Sequence, residues 1–398
     1  MSAQRDATAP MPAAARWALA LLPLLLLAGV LFAIARLDPV SRLRGVAPPV
    51  EVMAFQRVEL DDEGILLHVL NDGPDPVTIA QVMVDDAYWA FTQEPAGELA
   101  HLGDATLRIP YPWVQGEAHE VKLVSRNGVV FAHEIAVAVR TPRPDGRLLG
   151  VFALIGVYVG VLPVAIGLLW YPLLRHLGQR ALDFVLALTV GLLLFLLVDS
   201  LHEGIEAAGS VAGSFQGVLL LVFSAVAAYV AIDGFGAWLR RRGVSGGAGA
   251  VTALLIAVGI GLHNFGEGLA IGAAFALGEL ALGVLLILGF ALHNTTEGLA
   301  IVAPLAEERV GLGRLVLLGA IAGLPTIAGT WLGAFLYSPM WAVVFLGVGA
   351  GAIAQVVVVI TRSMARQRTV AELVRSAPVA WGLLAGVAVM YATGTLVG

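Results

Sequence analysis

The sequence contains no cysteine. That excludes disulfides, thiolate metal sites and a cysteine nucleophile, and it leaves the redox compartment undetermined. Charge is scarce as well: 13% of residues are charged, against about 25% in a soluble globular protein. Lysine is nearly missing. Of 23 basic residues only Lys122 is a lysine, and the arginines form no long run, so nucleic-acid binding has no support. Apolar residues take the place of charge. They make up 59% of the 398 residues and give a mean hydropathy of +0.87, which points to an integral membrane protein. Without thiolates, any transition-metal site here must use His, carboxylate or amide ligands.

The first apolar run, Trp17 to Ala35, is flanked by Arg5, Arg16 and Arg36. A run of about 19 apolar residues can cross a bilayer, whereas a signal peptide has a core of about 7–15. The expectation is an uncleaved anchor over 17–36 behind a cytoplasmic segment, 1–16. A cleaved signal is the alternative, since "AIA" at 33–35 resembles a cleavage site. Residues 37–147 differ in kind. Apolar and polar residues alternate in "VEVMAFQRVEL", "ILLHVLN", "ATLRIPY" and "EVKLVS", and the turn signals "NDGPDP" and "RNG" separate them. About seven short strands are expected, forming a small extracytoplasmic β-sandwich. Its histidines, His68, His101, His119 and His133, read as ordinary strand residues, with metal capture as a second reading.

Residues 148–398 read as a helical membrane bundle. Apolar segments at 149–174, 181–208, 216–239, 250–276, 281–306, 314–337, 339–361 and 378–397 predict eight spans. The loops after the first, third, fifth and seventh spans hold Arg175, Arg180, Arg240, Arg241, Arg242, Arg309, Arg314, Arg362, Arg366, Arg368 and Arg375, while the opposite loops hold no Lys or Arg. Arginine marks the cytoplasmic side. The expected protein is therefore a multi-pass protein of the cell (inner or plasma) membrane, with a cytoplasmic N-terminus and with the sandwich and C-terminus outside.

Ionisable residues inside such spans cost roughly 2.5–3.5 kcal/mol each on insertion scales, so each one needs a reason. "LHNFGEGLAIGA" (262–273) lies in the fourth span and "LHNTTEGLAIVA" (292–303) in the fifth. In each, His and Glu at i and i+4 share one helix face: His263 with Glu267, and His293 with Glu297. Asn264 and Asn294 stand at the edge of that face. Consecutive spans run in opposite directions, so both motifs reach the same depth and can face each other. Gly268, Gly298, Ala270 and Ala300 would let the two helices approach closely. Two imidazoles, two carboxylates and two amides would then share a small volume, and a divalent cation would relieve the repulsion between the glutamates. Imidazole with carboxylate suits Zn, Fe, Mn, Co or Ni better than Mg or Ca. A third group, Asp199, His202 and Glu206 with Glu203 beside them, lies near the outer end of the second span and reads as an entry path for cations, or else as a solvated helix end. Asp183 and Asp233 are expected to pair with arginine. Thr326 and Gln355 could face the pathway or simply pack.

The paired motifs "HNFGEG" (263–268) and "HNTTEG" (293–298) make residues 149–398 resemble the ZIP family of divalent-metal transporters, in its prokaryotic, GufA-like branch. The resemblance implies a ZIP-like eight-helix bundle and a transport site between the fourth and fifth helices. It implies His263, Glu267, His293 and Glu297 as ligands, with Asn264 and Asn294 beside them, and an elevator-like movement of one helix bundle against another. The chain departs from the family pattern in several places. Gly266 and Thr296 replace the usual prolines. The sixth span reads "GLPTIAG" without a carboxylate, the seventh reads "QVVVVIT" without paired glutamates, and "RRRGVSGGAG" has no histidine. A second metal is thus in question, and the anchor and sandwich are additions to the family core.

The expected function is import of a divalent transition metal, zinc first, with Fe, Mn, Co and Cd as other cargoes. No enzyme activity and no cofactor are expected; metal ions and the lipid bilayer are the partners, and a homodimer is left open. Two other readings stand beside it. One is an intramembrane metal-dependent hydrolase, which the symmetric ligand set argues against. The other is a metal sensor that has lost transport, which the short inner loops argue against.

Overall fold

The computed structural model describes residues 12–37, 50–243, 247–365 and 369–397. Arg5, Arg366, Arg368, most of the segment 1–16, and the join between anchor and sandwich at 38–49 lie outside the described residues. Among the described residues of the N-terminal unit, 1–51, lies the helix α1 (Ala13–Leu37), which covers the expected anchor.

Residues 53–135 form eight strands: β1 (Met53–Asp61), β2 (Gly64–Asn71), β3 (Ile79–Val84), β4 (Ala87–Trp89), β5 (Thr92–Glu94), β6 (Asp104–Ile109), β7 (His119–Ser125) and β8 (Val130–Ile135). They pair antiparallel in two four-stranded sheets, ordered β1-β2-β6-β5 and β4-β3-β7-β8. Period-2 alternation sets the inner faces. Val121 and Leu123 of β7 are fully buried, as are Leu67 and Val69 of β2 and Leu107 of β6. Both sheets supply side chains to one shared core, and each fully buried Val or Leu adds about 1.5–3 kcal/mol. At the β1–β2 turn, Gly64 holds φ +128° and its Cα lies against the Ile109 carbonyl, where a side chain would not fit.

Eight helices long and apolar enough to cross a membrane follow: α2 (Gly146–Leu174), α3 (Gln179–Ala208), α4 (Gly213–Arg241), α5 (Gly249–Ala276), α6 (Leu280–Leu305), α7 (Leu312–Leu336), α8 (Pro339–Met364) and, after the short α9 (Val370–Arg375), α10 (Ala377–Thr395). The protein is a membrane-embedded, polytopic helical protein carrying two small antiparallel sheets. The expected spans agree with these helices to within a few residues, because runs of this length and hydropathy have no competing reading.

Among the interruptions in these helices, two bear on each other. In α2 the backbone widens into a π-turn at Val157–Val161. In α7, Pro325 has no N–H to donate, and the helix breaks at Leu324. The two breaks meet: Gly160 and Gly323 abut backbone to backbone. Glycines sort the spans into two sets. Gly268 and Gly272 seat α5 on α7, and Gly298 seats α6 on Val164 and Gly167 of α2. Elsewhere Gly191 and Gly386 join α3 to α10, Gly204 fits Leu221 of α4 against α3, and Gly347 and Gly351 seat α8 on α4. The expectation that Gly268 and Gly298 bring α5 and α6 together is corrected here: each admits a third helix instead. Their Cα atoms point away from the His–Glu face, so the close approach happens behind it.

Among the polar residues near helix ends, Asp233 pairs with Arg362 at 3.6 Å as expected, while Asp183 accepts from Gln179 at 2.8 Å.

Candidate metal centre

The antiparallel α5 and α6 bring the two motifs together at mid-helix. His263, Asn264, Glu267, His293, Asn294 and Glu297 are all buried. One ligand atom each from His263, Glu267 and His293 lies within 4.8 Å of the others, the one group of three or more potential metal ligands among the described residues. Glu267 Oε1 faces both imidazoles, 3.3 Å from His263 Nε2 and hydrogen-bonded to His293 Nε2. The rings are 6.4 Å apart between centroids. Glu297 stands outside this triad: Glu267 already takes both imidazoles, and a second carboxylate brought against it would be repelled.

Each asparagine is held by a break in a neighbouring helix. Asn294 Nδ2 donates to the Val159 carbonyl at 3.0 Å, inside the π-turn of α2. Asn264 Nδ2 donates to the Ala322 carbonyl at 3.1 Å, just before the break in α7. The carbonyl from α7 occupies the side of the centre where the sixth span was noted to lack a carboxylate. Asn294 Nδ2 also donates to Glu267 Oε2 at 2.9 Å, crossing from α6 to α5. With both amide nitrogens engaged, Asn264 Oδ1 and Asn294 Oδ1 are buried with no donor. The same holds for both oxygens of Glu297, and His263 Nε2 has no hydrogen-bond partner. Ten buried side-chain nitrogen and oxygen atoms lack a partner among the described residues, and five of them belong to these six motif residues. Buried polar atoms are otherwise almost always paired. Oxygen and imidazole lone pairs gathered without donors match what a cation requires.

The centre is reached from the sandwich side. A small cavity of about 20 Å³ is lined by Asp199, Ser200, Glu203, His263, Glu267 and Phe345, among others. A larger one of about 330 Å³ shares Glu203, Gly266, Ala270 and Phe345 with it and adds Glu206, Glu279 and Tyr337. The carboxylates at 199, 203 and 206 thus descend one face of α3 towards the centre. This changes the membership expected of the entry group. Glu203 belongs to the cavity face, whereas His202 lines neither cavity, is exposed, and pairs with Glu206 at 3.4 Å. Spacings of i, i+4 and i+7 keep to one stripe of a helix, and i+3 drifts to its edge. Glu279, in the α5–α6 turn, was not singled out from the sequence. A lone carboxylate in a polar loop carries no pattern, and only the fold brings it to the mouth.

On the other side the centre is closed. Leu186 and Val190 of α3, Ala253, Ile256 and Ile260 of α5, Ile301 of α6 and Val356 of α8 share one packed apolar core. Thr326 and Gln355, named as pathway candidates, line neither cavity. Thr326 is wedged against Gly160 of α2. Gln355 lies on the flank of α8 between Gly351, which abuts Ala225 of α4, and the apolar cluster around Ala352 and Leu255.

The sandwich histidines are separate from one another in role. His68 contacts Glu59 and Thr106, His101 contacts the Gly73 carbonyl, His119 pairs with Asp85, and His133 stacks on Phe55. No protein-family model matches the chain, and no curated protein matches it.

Proposed function

We propose that this protein carries a divalent transition metal, with zinc as the expected cargo, across the membrane through the centre between α5 and α6. The observation that carries the reading is the group of four buried oxygens without a hydrogen-bond partner on the paired motifs, next to a His–Glu–His triad. A structural hydrogen-bond cluster would satisfy its acceptors; this one leaves them free where a cation would sit. His263, Glu267 and His293 would hold the metal, with Glu297 and the amide oxygens within the same buried group. The carboxylates Asp199, Glu203, Glu206 and Glu279 supply negative charge along the approach, which favours cations over anions. The resemblance of the motifs to those of ZIP transporters supports the same reading. So does the arginine asymmetry, which would put the sandwich outside and make the direction of transport inward. A cavity on one side of the centre and a packed core on the other fit a carrier caught with one access open.

The test is metal uptake into proteoliposomes holding the full chain, run with Zn, Fe, Mn, Co and Cd. Glu267→Ala and His293→Ala should each abolish uptake while the protein remains folded in the membrane. Uptake at the unsubstituted rate in either variant would remove the α5–α6 centre as the transport site.

A further inference from the structure

The sandwich is held to the two helix sets by contacts of different kinds. It runs directly into α2, through residues 136–145, and so is covalently part of the set that carries the metal centre (α2, α5, α6, α7). Two further contacts tie it to that set. Arg57 Nη2 donates to the Phe335 carbonyl in the last turn of α7 at 3.0 Å, and Val139 packs against Gly278 in the α5–α6 turn. The second set (α3, α4, α8, α10) is gripped by Asp72. Asp72, in the turn after β2, accepts from the backbone N–H groups of Gly213 and Ser214 at 2.6 and 2.9 Å, and Ser214 Oγ donates to its carbonyl at 3.3 Å. Gly213 and Ser214 open α4 at the α3–α4 turn, beside the mouth of the cavity.

The two sets bear on one another chiefly where α8 lies against α5. Within each set glycines meet backbone atoms of the next helix. Across the boundary, Gly259 of α5 meets the Val356 side chain and the Ala352 carbonyl of α8, Gly236 of α4 meets the Leu255 side chain of α5, and Gly349 of α8 faces His263. If the centre is to open on its closed side, the apolar core shared by α3, α5, α6 and α8 must part, and that core is built from both sets. A domain fixed to one set and hooked to the other resists that parting.

We propose that the β-sandwich is a brace across the mouth of the cavity and that Asp72 is its latch: while Asp72 holds the α4 N-terminus the two helix sets stay in register, and the centre faces the sandwich side. The inference rests on the carrier reading for its purpose, but not for its test. Burial of Asp72 raises its pKa, yet the hydrogen bonds from Ser214 and Gly213 and the charge of His101 outweigh that and hold the carboxyl below its ordinary value of 3.8. The latch is therefore ionised and closed throughout the neutral and mildly acidic range.

Because the chain has no cysteine, introduced thiols are the only ones present. Ala253→Cys places a reporter in the packed core, and its alkylation by an impermeant maleimide reads opening of the closed side. In the reconstituted full chain, Asp72→Ala should speed that alkylation roughly tenfold. Asp72→Cys with Ser214→Cys, oxidised to a disulfide, should slow alkylation at position 253, read by peptide mapping, below the unsubstituted rate, and reduction of the same sample, which leaves position 72 without its carboxylate, should raise it to the Asp72→Ala rate. The reversible pair is its own folding control. Equal alkylation rates in the unsubstituted, Asp72→Ala and cross-linked proteins would overturn the brace. Metal uptake, measured on the same vesicles, separates the two ideas: no uptake by the unsubstituted protein would sink the carrier reading, while the alkylation rates still decide the brace.

Discussion

Asn294 of α6 donates to Glu267 of α5 at 2.9 Å, so one helix orients the carboxylate carried by the other. The same amide is pinned to the Val159 carbonyl of α2, which fixes its direction. Groups that orient a metal ligand typically change affinity by about 10–100-fold when removed. Asn294→Ala should weaken Zn binding by that factor, read by calorimetry in detergent, with the protein still folded. Unchanged affinity would remove Asn294 from the centre.

Glu297 makes the opposite kind of prediction, because neither of its oxygens has a donor. A carboxylate buried without a partner destabilises the fold, and a bound cation compensates it. Glu297→Gln should raise the metal-free melting temperature while weakening metal binding more than Asn294→Ala does. A lower metal-free melting temperature would contradict the assignment.

Gln355 tests how the spans are divided between structure and pathway. Both polar atoms of its amide are buried and unpaired on the flank of α8. Gln355→Leu should stabilise the protein by about 1–3 kcal/mol, since it removes an unmet hydrogen-bonding demand. Uptake should be unchanged. A loss of uptake with normal folding would return Gln355 to the pathway.

His133 gives a pH dependence with a definite sign. It lines a cavity of about 220 Å³ between the sandwich and the ends of the spans, with Phe55, Arg57, Ser210 and Tyr337 also on its wall. Burial lowers its pKa from the ordinary 6.5. The unfolded chain therefore takes up the proton first. The stability linked to His133 is fully present above pH 6.5 and declines as pH falls through the lowered folded value. Thermal melts from pH 8 to 5 should show this decline, and His133→Phe should flatten it. An identical pH profile in that variant would assign the effect elsewhere.

Much of this architecture was legible in the sequence. Eight apolar runs of spanning length marked the eight long helices, and the repeat of His, Asn and Glu at matched depths led to the expectation that 263, 267, 293 and 297 would meet; the first three do, and Glu297 stands outside them. The sandwich was legible from period-2 alternation, although eight strands form where about seven were expected, since β4 and β5 are only three residues each. What stayed hidden depends on rotation about helix axes and on third partners. Spacing could not say that Gly268 faces α7 or that Gly298 faces α2. It could not separate His202 from the stripe holding Asp199, Glu203 and Glu206. Nor could it show that two backbone carbonyls, which leave no mark in a sequence, would hold the asparagines.

Those carbonyls belong to two places where regular helix fails, the π-turn of α2 and the proline break of α7. Irregular backbone is usually treated as a hinge, valued for what it lets move. Here each irregularity is also an address. It offers a carbonyl at a spot where an unbroken helix would keep that carbonyl for itself, and an asparagine on another helix depends on finding it there. Ligand geometry at the centre is therefore inherited from the pitch of helices that contribute no ligand. A substitution that restored regular winding near Val159 or Ala322 would alter which ion fits without touching any residue that holds it.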